Sequence, residues 1–123
     1  MQPRTTARKR KASGTPLPGR AVRGSRSGRP VMALLDLLGR RWTLRLLWEL
    51  RGARVATFRA LRADLDDVSP SILNARLQDL RAAGLLERGG DGYFLTGSGT
   101  ELLAVLVPLG RWADRWAATL ARR

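Results

Sequence analysis

The stretch SPSILNARLQDLRAAGLLER, residues 69–88, decides the fold. Leu73, Leu77 and Leu80 recur at four and three residues, the spacing that gathers side chains on one face of a helix. Ser71, Asn74, Ala75 and Gln78 fall on the opposite face, small or polar and all uncharged. A face turned only to water more often carries Glu and Lys, so this smooth surface asks for a purpose. The start of the helix is clearly signalled. Ser69 is an N-cap type, Pro70 suits the first helical position, and Val68 and Leu73 stand at the hydrophobic-staple positions. After about Ala83, Gly84 supplies a left-handed stop.

Upstream, Thr57 caps a predicted helix with Phe58, Leu61 and Leu65 on one side, and DDVS leaves only a tight connection between the two helices. Downstream, LLERGGDGYFLT, residues 85–96, places two short apolar arms around Gly89-Gly90-Asp91-Gly92, a β-hairpin signal. Two helices precede this unit. Val31 to Leu38 is apolar nearly all round, so it needs cover on two sides, and Gly39 ends it. Trp42 to Arg51 carries the stripe Trp42, Leu46 and Leu50, and Gly52 to Val55 reads as a turn into a very short strand. The last pattern, Thr100 to Ala121, is helical, with Pro108 expected to kink or divide it and Leu109, Trp112, Trp116 and Leu120 extending a stripe beyond. Two helices joined by a short turn, with a hairpin after the second, predict a mainly α fold with a small β-hairpin: a winged helix-turn-helix.

The charge balance points the same way. The 123 residues hold 23 Lys and Arg against 10 Asp and Glu, a formal charge of +13. Such an excess suits a partner of dense negative charge, with nucleic acid first and an anionic membrane surface second. No apolar run approaches the roughly 18 residues that span a bilayer, so no membrane partner is expected. The chain has no Cys and no His, which excludes disulfides, thiolate nucleophiles, Cys/His zinc sites and imidazole bases. Asp64, Asp66 and Asp67 do not complete a calcium loop, because Ser69 and Ala75 stand where that loop needs Gly and Glu. No cofactor, metal or enzymatic activity is predicted.

Residues 1–29 hold nine basic residues (Arg4, Arg8, Lys9, Arg10, Lys11, Arg20, Arg23, Arg26 and Arg29) and no acid. With so little apolar surface this stretch is expected to be a disordered basic tail, followed by one domain over residues 30–123. The tail reads as a phosphate-neutralising arm or as a solvated extension. A transit peptide would share its composition but would show an apolar face.

A recognition helix in a major groove must offer hydrogen-bonding side chains short enough to let it approach base edges. Ser69, Ser71, Asn74, Ala75, Arg76 and Gln78 are therefore the groove-facing candidates, with duplex DNA as the partner. Arg76, between the two faces, either clamps a phosphate or pairs with Asp64 or Asp79. Arg40, Arg41, Arg59 and Arg88 flank helix starts and the hairpin, where phosphate contacts are commonly made. The first and last helices together carry more apolar surface than one small domain covers, so Val31, Leu34, Leu35, Leu106, Leu109, Trp112 and Trp116 are candidates for a homodimer interface. Trp42, Trp48, Trp112 and Trp116 fit either a core and dimer seam or an apolar effector pocket.

RPVMALLDLLGRRWTLRLLWEL, residues 29–50, resembles the opening of the HxlR-type winged-helix transcriptional regulators, which run Cys-Pro-Val, a leucine helix and then Gly-x-Lys-Trp-x-x-x-Ile-Leu. TFRALRADLDDVSPSILNARLQDLRAAGLLER is similar to that family's helix-turn-helix, and YFLTGSGTELLAVL resembles its last strand and last-helix entry. The likeness covers about residues 29–118, and the block around Trp42 is its most specific part. Three departures stand out. Arg29 replaces a cysteine frequent in the family, which removes thiol-based sensing; Arg41 replaces a lysine; and the hairpin turn is short, without the Pro and Arg of the family's wing. A MarR-like winged helix shares the same outline. The resemblance implies a bacterial, cytoplasmic, homodimeric regulator on a roughly palindromic operator. A non-specific nucleic-acid binder driven by the tail and a protein-interaction winged helix are the competing readings.

Overall fold

The computed structural model describes residues 14–123. Among them lie α1 (Pro30–Leu38), α2 (Thr43–Glu49), α3 (Phe58–Asp64), α4 (Pro70–Ala82), β1 (Leu86–Gly89), β2 (Gly92–Leu95) and α5 (Gly97–Ala121). This is the expected mainly α fold with one hairpin. The core sits between α2, α3 and α4, where Leu46, Leu47, Leu50, Leu61, Leu65, Leu73, Leu77 and Leu80 are all fully buried and Leu86 of β1 closes one side. Each such leucine contributes about 1.5–3 kcal/mol relative to exposure.

Local chemistry sets the element ends. The Thr57 Oγ1 accepts from Ala60 N at 3.1 Å and the Ser69 Oγ accepts from Ile72 N at 3.3 Å, capping α3 and α4. Between them Asp66 and Asp67 both sit at φ 57°, a left-handed conformation that Asp tolerates better than most residues. Asp67 N donates to the Arg62 carbonyl at 2.9 Å and Arg62 Nε to the Val68 carbonyl at 2.7 Å, which draws the turn tight. Arg54 reaches Asp64 at 2.7 Å and Arg45 reaches Asp66 at 3.6 Å, so these carboxylates serve ion pairs between elements. The hairpin pairs Leu86 with Leu95 and Gly89 with Gly92, leaving a two-residue turn. The expected short strand is a single rung: Ala56 exchanges both backbone bonds with Tyr93, at 2.9 and 2.8 Å.

Three expectations need correction. First, α5 starts at Gly97 rather than Thr100, because Thr96 Oγ1 accepts from Gly99 N at 3.1 Å and caps a helix whose first turn is Gly-Ser-Gly. Second, α5 runs through Pro108 without division. Pro108 and Ala104, whose carbonyl loses its usual donor, both lie on an exposed stretch where water takes over. Third, residues 14–29 are not a disordered tail. Gly19 N donates to the Gly28 carbonyl at 2.9 Å, Val22 and Ser25 exchange bonds at 2.9 and 3.0 Å, and Pro16 and Gly28 are buried. Pro16, Leu17 and Pro18 line a cavity of about 150 Å³ together with Ala33, Leu34 and Leu37 of α1. Gly28 enables this fold: at φ 73°, a Cβ there would stand 2.2 Å from the Arg20 carbonyl oxygen. The Arg8-Lys9-Arg10-Lys11 cluster lies outside the described residues.

Candidate nucleic-acid interface

α4 is anchored from behind by Leu73, Leu77 and Leu80, and this orients everything else on it. Ser69, Ser71, Asn74 and Gln78 are exposed on the far side, and Ala75 is half-buried at its edge. The Ser69 hydroxyl is already engaged as the cap and lies 3.5 Å from the Ser71 hydroxyl, which leaves Asn74 and Gln78 as the free hydrogen-bonding groups. Ile72 is also exposed, a member of this face that sequence reasoning missed. The signal was present: Ile72 lies off the leucine stripe, next to Ser71 and one turn before Ala75, and an apolar side chain there suits a thymine methyl.

The only acid on the helix is turned inward. Asp79 is 6% exposed, and the Thr15 hydroxyl donates to its Oδ1 at 2.7 Å. Arg40 donates to Oδ2 at 3.2 Å, and Arg76 Nε stands 3.4 Å from the same oxygen. The carboxylate is thus neutralised within the protein, and the outer face of α4 carries no negative charge. Arg40 and Arg76, two of the predicted phosphate or base contacts, are drawn into this cluster rather than presented to solvent. Of the two pairings open to Arg76, the one with Asp79 forms.

Arg41, Arg59 and Arg88 are exposed. The Arg41 guanidinium lies 5.1 Å from the Trp42 ring centre and that of Arg88 lies 5.6 Å from Tyr93, where stacking steadies long cationic side chains. The outer face of α4 is therefore uncharged, and Arg41, Arg59 and Arg88 keep charges that no acid among the described residues consumes.

The predicted interface residues divide. Val31 and Leu35 of α1 are 58% and 55% exposed, and Trp112 and Trp116 of α5 are 53% and 52% exposed. Leu109 and Leu120 are exposed beside them. The two indoles stack, 5.8 Å apart and 14° from parallel. Leu34 and Leu106 instead pack partly against this chain's own core. Trp42 also packs on the core, while Trp48 lines a cleft of about 330 Å³ with Leu103, Leu106, Val107, Gly110, Arg111 and Asp114. The four tryptophans thus do not form one pocket. Among the described residues no helix is long and apolar enough to cross a membrane.

This arrangement has known counterparts. The family model described as HxlR-like helix-turn-helix matches residues 37–120. An uncharacterized HTH-type transcriptional regulator of Methanocaldococcus jannaschii is 28% identical over 89 residues, covering 69% of this chain and 83% of that protein. The quinone-bound form of YodB from Bacillus subtilis superposes with a TM-score of 0.64 at 29% identity, covering 69% of this chain and 94% of its own. A possible HxlR family transcriptional factor from Thermoplasma volcanium gives 0.59 at 30% identity, covering 76% and 86%. A winged unit whose second helix, α4, buries its single acid, matched by the family model over most of its length, leaves one conclusion: the chain belongs to the HxlR-like helix-turn-helix family and is a transcriptional regulator.

Proposed function

We propose that this regulator binds duplex DNA as a homodimer, each copy laying the outer face of α4 in the major groove of an approximately palindromic operator. The observation that carries this reading is the face itself: Ser71, Ile72, Asn74 and Gln78 exposed, with the helix's single acid buried behind. Asn74 and Gln78 are suited to bidentate contact with adenine, each such contact contributing about 1–3 kcal/mol of discrimination. Arg41, Arg59 and Arg88 serve the flanking phosphates, which position the helix without reading sequence. The dimer is supported by the large apolar side chains that α1 and α5 leave exposed, Val31, Leu35, Leu109, Trp112 and Trp116. Such a role places the chain in the cytoplasm, on the nucleoid.

Selection of bound sites from a random duplex library tests this. The expected result is a short inverted repeat whose halves lie about one helical turn apart, roughly 34 Å. Recovery of no preferred sequence would overturn the reading.

A further inference from the structure

The folded segment over residues 14–29 carries four arginines and no acid of its own. Arg40, Arg45, Arg54, Arg76 and Arg81 each pair with an acid. Arg20, Arg23, Arg26 and Arg29 are all exposed, and among the described residues none has an acidic partner within an ion pair's reach. The one carboxylate nearby, Asp36, accepts from the Arg23 backbone N at 3.2 Å. Four unpaired arginines on an ordered lobe are costly in mutual repulsion unless something of opposite charge meets them.

The lobe is fixed to the reading helix. Thr15 donates to Asp79, 64 residues away, at 2.7 Å, and the Gly14 carbonyl accepts from Arg40 at 2.8 Å. Asp79 stands on the buried side of α4, so the anchor lies about one helix diameter, roughly 10 Å, behind the side offered to DNA. Gly14 is also the point at which Arg8, Lys9, Arg10 and Lys11 join the anchored lobe in sequence.

We propose that this N-terminal lobe is a second DNA-binding element, with Arg20, Arg23 and Arg26 gripping the sugar-phosphate backbone beside the half-site and Thr15 and Asp79 holding the lobe in register with α4. The proposal deepens the DNA-binding reading above and rests on it. The lobe contributes affinity and footprint length, not base preference, because arginine contacts to phosphate are blind to sequence.

The test uses the full chain and an operator obtained by selection. Replacing Arg20, Arg23 and Arg26 together by Ala is expected to flatten the slope of log K against log salt by up to ~2.7 per copy, ~5.4 for the dimer, at about 0.9 for each phosphate no longer neutralised. Affinity for operator and random duplex should fall by the same factor, and hydroxyl-radical protection should retreat from the flanks to the α4 half-sites. Thr15→Val keeps every charge and is expected to weaken the flank protection while leaving the selected sequence unchanged. An unaltered salt slope and footprint in the triple variant would overturn the proposal. So would Thr15→Val protecting the flanks as the native chain does, or triple-variant loss confined to binding of anionic lipid vesicles. A native chain that selects no sequence would instead remove the reading beneath it, and the two failures are therefore distinct.

Discussion

At Gly99 a Cβ would stand 2.1 Å from the Leu85 carbonyl oxygen, so backbone passes backbone there with no room for a methyl group. Gly99→Ala is expected to cost about 1–3 kcal/mol through overpacking, read as a fall in thermal midpoint of roughly 10 °C. An unchanged midpoint would mean that α5 shifts without resistance. Asp79 is the second sensitive residue. Asp79→Ala leaves two guanidiniums without their carboxylate, and because Arg40 and Arg76 keep partial access to water the cost is about 1–3 kcal/mol, below that of a fully enclosed pair. Denaturant unfolding measures it. The Arg76–Asp79 pairing was one of the readings open in the sequence, but the close approach at Gly99 and the other partners of Asp79, Arg40 and Thr15, were not visible, since those partners are 39 and 64 residues away.

At the scale of elements, the parts governed by near neighbours were legible. Ser69, Pro70 and Gly84 announce the ends of α4, and Leu73, Leu77 and Leu80 announce its buried face. Elements governed by distant contacts were not. The Gly-Ser-Gly opening of α5 reads as a turn because two glycines disfavour helix; the Thr96 cap, itself held to the Gly84 carbonyl at 2.7 Å, overrides that preference. The N-terminal lobe, poor in apolar residues, is ordered by Gly28 and by Asp79, neither of which its composition reveals. Trp42 preceding α2 at φ 78° is likewise set by tertiary packing. For α4 the expected effect of Asn74→Ala with Gln78→Ala is loss of about 1–3 kcal/mol of base discrimination per residue. Because both side chains are exposed, the melting temperature should hold. Binding to operator then approaches binding to random duplex in a competition assay; retained preference would move the reading residues elsewhere. Arg88→Ala on β1 should weaken both equally and lower the salt slope by about 1 per copy, about 2 for the dimer.

For the whole molecule the deciding feature is the set of apolar side chains left exposed on α1 and α5. Leu109→Glu with Trp112→Glu places two charges in it without disturbing the core, since neither side chain is buried. Sedimentation velocity is expected to show a dimer for the native chain at micromolar concentration and a monomer for this variant, with operator binding weakened by more than tenfold as the half-sites are engaged singly. A native chain that sediments as a monomer would remove the dimer from the account.

α5 departs from the corner at which α4 stops: Thr96 is bonded through its backbone to the Leu85 carbonyl at 3.1 Å and through its hydroxyl to Gly84. No slack loop separates the two rods. A helix of 25 residues is about 37 Å long, so a small tilt at its distal tryptophans is carried to the corner where α4 ends. In the proposed dimer, the spacing of the two α4 helices would then follow the angle at which the paired α5 helices pack.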